Sequence, residues 1–325
     1  MTHAISPWRQ IQKENFTTLP ALLEFLELSS DLQKKVLSAP RFSLNIPRRL
    51  ASKIAKNTLD DPILRQFVPL EEELHSTLGF SLEPVQDQRF QKTKKILHKY
   101  NSRALIIATS ACAMHCRFCF RQNFPYETKH SGFQEELEYL AKDPSLSEVI
   151  LSGGDPLSLS DAVLQQLFHD LDAIEHVRRI RFHTRFPIGI PERIDASFLH
   201  LLASSTKQIY FIIHCNHPKE LDADVVAALG KIGKLGIPLL NQSVLLKGVN
   251  DEPQVLLELS EALINAGILP YYLHQLDAVE GAAHFALPSE RGPELIRYLQ
   301  EHLSGFAVPR LVKEEPGQSS KTLIL

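Results

Sequence analysis

Three of the chain's four cysteines, Cys112, Cys116 and Cys119, fall within eight positions in the stretch ACAMHCRFCFR, beside Arg117 and Arg121. The gaps are three residues and then two, so one tight loop can present three thiolates. Such a set can bind three irons of a cubic 4Fe–4S cluster and leave the fourth iron open to a small molecule. The same residues admit a second chemistry, a structural zinc ion held by the three thiolates and His115. Structural zinc usually draws paired ligands from two separated segments, whereas all four donors here sit on one short loop. A disulfide scaffold fits worse, because three clustered thiols leave one over and cannot staple so long a chain. The remaining Cys215 lies in an apolar run and reads as a packed core thiol.

A second chemical stretch is SGGDP, Ser152 to Pro156. Glycines let a backbone approach a ligand closely, and a carboxylate such as Asp155 can accept from an ammonium group. Alone, the stretch reads equally well as a turn with a helix-start residue. Its position one unit after the cysteines gives it weight.

The elements that must hold these residues follow from hydrophobic periodicity. From Arg103 onward the chain alternates strand and helix: RALIIAT, SEVILS, RRIRFHT, KQIYFIIH, IPLLNQSVLL and ILPYYLHQ are short and rich in β-branched or aromatic residues. Between them, GFQEELEYLAKD, LSDAVLQQLFHDL, DASFLHLLAS, LDADVVAALGKIGKLG and EPQVLLELSEALINAG have helical spacing. Six such units in a row imply an α/β fold with a parallel sheet and right-handed crossovers. Polar clusters stand at or near the strand ends: the cysteines, SGGDP, HTR, HCNHP, NQS and HQLD. In a barrel such ends converge on one mouth, so a partial barrel with a central site is expected.

Residues 1–98 have a different texture. LPALLEFLEL and DLQKKVLSAP are spaced as helices, and RFSLNIPRRLASKI and PILRQFVPLEEEL add short helices broken by prolines. We read a helical N-terminal extension over 1–98, a barrel over 99–290, and a C-terminal helix and tail over 291–325. A net charge of −3 gives no long-range attraction for phosphate backbones or anionic lipid, which argues against nucleic acid and membrane surfaces as partners. There is no basic, then apolar leader in MTHAISPWRQIQKENF and no run of roughly 20 apolar residues, so a cytoplasmic protein is expected.

On the cysteine spacing, the aromatic Phe118 before the last cysteine, and SGGDP, the chain resembles the radical S-adenosylmethionine (SAM) enzymes. That resemblance implies a partial (β/α)6 TIM-like barrel with SAM on the open iron, and Gly153, Gly154 and Asp155 beside the SAM methionine. A narrower resemblance, from about Lys94 to Lys321, is to the lysine 2,3-aminomutases. It is carried in order by CRFCFR, SGGDPL, HCNHP, NQSVLLKGVND, PYYLHQLD, GAAHFALP and SGFAVPRLVKEEPGQSSK.

This family resemblance implies an isomerase that converts (S)-lysine to (R)-β-lysine with a 4Fe–4S cluster, SAM and pyridoxal 5′-phosphate (PLP). Lys321, closing PGQSSK, matches the lysine that forms the PLP Schiff base, although Gln318, Ser319 and Ser320 stand where the family is glycine-rich. Arg103 and Lys99 match the PLP phosphate site, and His214 and Gln242 match contacts to the SAM nucleoside. Arg121 matches the arginine on the substrate carboxylate, and Asp277 and Glu314 match two carboxylates on the distal ammonium, Glu314 being one methylene longer. Two anions would select lysine over neutral or acidic amino acids. The zinc-binding C-terminal arm of the longer family members has no counterpart here, and Glu252 replaces a cysteine. The short form resembles the branch serving elongation factor P modification, which implies a link to that factor and its ligase, and a reductant such as flavodoxin or ferredoxin. A radical SAM enzyme without PLP, and a zinc-stabilised binding module, stand as the other readings of the same residues.

Overall fold

The computed structural model describes residues 6–126 and 132–325; the first five residues of the expected extension lie outside them. One nine-stranded sheet organises the chain, with its strands in sequence order. They are β1 (Ile96–Tyr100), β2 (Arg103–Thr109), β3 (Glu148–Gly153), β4 (Arg179–Thr184), β5 (Gln208–His214), β6 (Leu239–Val244), β7 (Leu269–His274), β8 (Arg310–Lys313) and β9 (Thr322–Leu323). Strands β2 to β8 are parallel throughout, while β1 and β9 pair antiparallel on the two edges. All six expected strands are present, and β8 adds a seventh parallel one.

Alternation along each strand sorts residues between the helical layer and the interior. In β4, Ile180 and Phe182 are buried, and Phe182 packs against Phe168, Phe198 and Phe211 with ring centroids 5.6–6.0 Å apart. Arg179, Arg181 and His183 take the opposite face. The covering helices show the matching stripe: Asp161–Asp172 buries Leu164, Leu167, Phe168 and Leu171, and Ser160 caps it by accepting from Val163 N–H. Burial of each such side chain stabilises the fold by about 1.5–3 kcal/mol.

The sheet curls without closing. No backbone ladder joins β1 to β8, yet Lys99 and Tyr100 of β1 reach Glu314, directly after β8, at 3.3 and 2.6 Å. Side chains therefore lace the seam that a closed barrel would seal with hydrogen bonds.

The N-terminal extension shares one continuous core with the barrel, from Trp8 to Leu311. Its helices are shorter than the periodicity predicts. LPALLEFLEL is helical only over Leu19–Phe25 and ends at Glu27, which adopts a left-handed backbone. In DLQKKVLSAP the helix stops at Gln33 because Val36 bridges to Leu70 instead, with Leu37 N–H donating to Pro69 O. Strand β1 crosses position 98, and β8 and β9 draw the 291–325 segment into the sheet.

Candidate active site

The cysteine loop leaves the end of β2 and is pinned largely by the N-terminal extension. Asn15 Nδ2 donates to Ala113 O at 2.7 Å, Asn45 Nδ2 to Cys112 O at 3.2 Å, His115 N–H to Asn45 O at 2.9 Å, and Arg117 N–H to Gln66 O at 2.9 Å. Cys112, Cys116 and Cys119 are free thiols. Burial pushes all three thiols up, with Cys119 at about 11, and neighbouring thiols add to the rise for Cys112 and Cys119. Such thiols bind metal by giving up their protons to it.

His115 is not one of this group. Its Nδ1 lies 2.8 Å from Ser43 O and its ring stacks on Phe42, which ties the imidazole to the extension. Among the described residues no three His, Cys, Asp or Glu side chains converge on a single ion. Three thiols on one loop, each binding a different iron, fit a cluster better.

The SGGDP stretch packs directly against the start of the cysteine loop. Gly153 has φ +107°, and a Cβ on Gly154 would stand 2.5 Å from Ala111 O, so the glycines admit the start of the cysteine loop itself. Gly154 N–H and Asp155 N–H donate to Thr109 O and Ala111 O at 2.7 and 2.8 Å. The Asp155 carboxylate is fully engaged: Oδ1 accepts from Thr184 Oγ1 (2.7 Å) and Leu157 N–H (3.0 Å), Oδ2 from Arg185 N–H (2.8 Å) and Phe186 N–H (3.0 Å). With about four acceptor positions on a carboxylate, none is left for a ligand ammonium. Asp155 thus ties the ends of β3 and β4 together.

Inside the barrel, Gln242 donates from Nε2 to His183 Nδ1 at 3.2 Å and to His214 Nε2. Burial holds these imidazoles neutral, with His214 lowered to about 3. His183 Nε2 is buried with no partner. An unpaired polar atom facing the interior marks a place where a bound polar group would find a hydrogen bond.

The remaining site residues form one chain of ion pairs along the seam. Arg121 donates through Nε to Asp87 Oδ2 at 2.7 Å and through Nη1 to Ser152 Oγ at 3.4 Å. Asp87 Oδ1 lies 2.7 Å from Lys99 Nζ, Lys99 reaches Glu314 Oε1 at 3.3 Å, and Glu314 Oε2 accepts from Lys321 Nζ at 2.8 Å. Burial alone would raise the two carboxylates, but their cationic neighbours win and hold both down, Glu314 at about 2. Asp277, after β7, has the reverse outcome. Burial lifts it to about 7 against the pull of Lys321, and Glu314 adds to the rise. Lys321 also depresses His183, His214 and His274 through its charge, which locates its ammonium toward the barrel interior.

Of the expected residues, Lys99 is spent on Asp87, Glu314 and Val85 O. It would have to exchange a carboxylate to hold a phosphate. Arg103 stacks over Tyr100, 4.5 Å from the ring centroid. Asp87, Gln66, Arg185 and His183 belong to the site but were not singled out from sequence. Only HTR, at a strand end, carried a signal for two of them.

The chain matches the Radical SAM superfamily over residues 106–260. It is 43% identical over 302 residues to the L-lysine 2,3-aminomutase of Escherichia coli K12, covering 91% of this chain and 88% of that one. It is 40% identical to the protein of the same name from Haemophilus influenzae, covering 97% and 95%. The longer L-lysine 2,3-aminomutase of Clostridium subterminale is 31% identical, with 98% of this chain matching 77% of that one. With its three grouped thiols and its chain of carboxylates and cations, this protein belongs to the lysine 2,3-aminomutase family of radical SAM isomerases.

Proposed function

We propose that the protein moves the α-amino group of free lysine to the neighbouring carbon, giving β-lysine, with a 4Fe–4S cluster, SAM and PLP. The observation that carries this reading is the ion-pair chain from Arg121, two residues after the last cluster cysteine, to Lys321. That chain links the residue proposed as carboxylate clamp to Glu314 and to the lysine proposed for PLP, and the charges of Lys321 and Glu314 act on buried Asp277. When bound, the cluster and SAM supply the hydrogen-abstracting radical, and PLP supplies the conjugated system that lets nitrogen migrate.

The chain's own residues bind and orient. Asp87 takes the Nε edge of Arg121 and Ser152 Oγ one Nη1–H, which leaves the remaining terminal N–H groups to grip the substrate carboxylate. Glu314 Oε2 accepts from Lys321 Nζ at 2.8 Å and so draws that side chain to the seam. Lys321 would hold PLP, and Glu314 with Asp277 would then provide the two carboxylates for the substrate's distal ammonium. Arg103 is the residue best suited to the PLP phosphate. Gly153 and Gly154 close the cysteine loop, and His214 and Gln242 offer neutral hydrogen-bonding groups to the SAM nucleoside. The 1–98 extension serves as the brace of the cluster loop, and the 291–325 segment as the carrier of Glu314 and Lys321.

We further assign the product to elongation factor P modification, and the protein to the cytoplasm, where a flavodoxin or ferredoxin provides the electron. No helix among the described residues is long and apolar enough to cross a membrane. The test is anaerobic reconstitution with iron, sulfide, PLP and SAM, followed by incubation with labelled lysine and chiral chromatography. β-Lysine that elongation factor P ligase then transfers to the factor is the expected result. Absence of β-lysine from a protein carrying all three groups overturns the proposal.

A further inference from the structure

Arg185, immediately after β4, is a buried guanidinium that the reaction described above does not use. Its Nη1 lies 2.9 Å from Cys116 Sγ, and its Nη2 donates to Gln66 Oε1 at 2.5 Å and Glu220 Oε2 at 2.8 Å. Three elements fix this geometry. Gln66 comes from the helix Pro62–Phe67 of the extension, where its own Nε2 donates to Pro62 O and Glu220 Oε1. Glu220 follows β5 and accepts from the backbone N–H groups of Asn216 and His217, both at 3.1 Å. Phe67 and Phe118 flank the guanidinium at 4.7 and 5.5 Å. Arg185 Nε is left buried without a partner.

Burying a cation so thoroughly is costly unless nearby negative charge compensates it. Glu220 supplies one anion. The second is the sulfur of Cys116, which becomes a thiolate when it ligates iron. Hydrogen bonds and charge at cluster sulfurs set how readily a cluster accepts an electron.

We propose that Arg185 is a positioning residue for the cluster: its Nη1–H, held against Cys116 Sγ by Gln66 and Glu220, favours the reduced state and so sets the cluster's midpoint potential. The cluster gains one electron from an external low-potential donor, and no bond or proton moves at Arg185. Glu220 acts in the opposite sense by offsetting part of the charge. This inference rests on the assignment of a 4Fe–4S cluster to the three cysteines.

The test is an EPR-monitored redox titration of the reconstituted protein with dithionite and mediators. In Arg185→Gln the ratio of reduced to oxidised cluster at a fixed poise falls about tenfold, equal to about 59 mV for a one-electron couple. In Arg185→Lys, which keeps the charge, the midpoint lies nearer the wild type. In Glu220→Gln the ratio rises, by roughly threefold. Unchanged midpoints, or Gln variants at 185 and 220 that move in the same direction, overturn the proposal. Should Arg185→Gln not assemble a cluster, Glu220→Gln decides, and an unchanged or lower midpoint there is the negative result. A wild-type protein with no reducible EPR signal instead removes the cluster assignment itself.

Discussion

The two ends of the candidate site are built by opposite means. Around the cysteines, polar groups are buried and largely committed to one another: Asp155 holds four donors, Glu220 joins Arg185 to the backbone of the β5 loop, and the extension grips the loop carbonyls. Along the seam, long side chains make ion pairs that ligands can replace, and Lys321 keeps a quarter of its side-chain surface exposed. Networks of the first kind define a single geometry, because an unpaired member is expensive. Networks of the second kind can exchange partners when a ligand brings a charge of the same sign, because their largely buried members need compensation whichever partner supplies it. The difference teaches that the cluster pocket is prepared before any ligand arrives, whereas the amino-acid pocket is completed by its occupants.

The contrast can be broken experimentally. Cys116→Ser, or the same change at Cys112 or Cys119, is expected to abolish both the brown absorbance near about 400 nm and all turnover; a variant that retains either removes that thiol from the cluster. Lys321→Ala is expected to cost about 10³-fold or more in turnover and to lose borohydride-reducible PLP absorbance, with thermal stability nearly unchanged. A large drop in melting temperature there would mean that the seam is as rigid as the cluster end. Asp155→Ala is expected to destabilise the fold by about 3 kcal/mol, since it strands buried N–H donors. Urea midpoints would measure this, and a neutral result would undo the assignment of Asp155 as a pin.

A smaller effect concerns pH. Asp277 is raised to about 7 in the folded protein, so it is neutral in mildly acid solution and gains its charge near neutrality. KM for lysine should therefore rise about tenfold from pH 8 to pH 6, as the partner of the distal ammonium is lost. The stability sign is separate: Asp277 contributes most below about pH 4, and that contribution is lost as pH rises through about 7. Glu314, depressed to about 2, does the reverse, its contribution present above about 4.5 and lost as pH falls through 2. In Asp277→Asn the rise in KM between pH 8 and 6 should disappear.

The strand order and the helical stripes were legible because alternation and 3.6-residue spacing are local, and the cysteines because three thiols at that spacing have few other uses. Asp87 was not legible. It sits in the extension with no periodic or motif context, and only tertiary packing brings it to Arg121. The same holds for Gln66, whose helix looks like any short amphipathic piece. Asp155 was singled out within SGGDP, but the donors its carboxylate accepts from include Thr184 and the N–H groups of Arg185 and Phe186 at the β4 end, which only the fold brings to it. Glycine at 154 likewise stands against Thr109–Ala111, a close approach that the sequence alone does not display.

Strand β9 is only Thr322–Leu323, joined to β8 through Val312 and Lys313, with Ile324 N–H adding one bond to Leu311 O. Lys321 stands at its first shoulder. The position of that ammonium therefore depends on a two-residue pairing, and fraying of so short a strand is expected to carry the lysine away from Glu314. Hydrogen exchange at Leu323 and Ile324 would follow this equilibrium directly, and slower exchange after PLP is added would show the cofactor acting as a staple for the edge of the sheet.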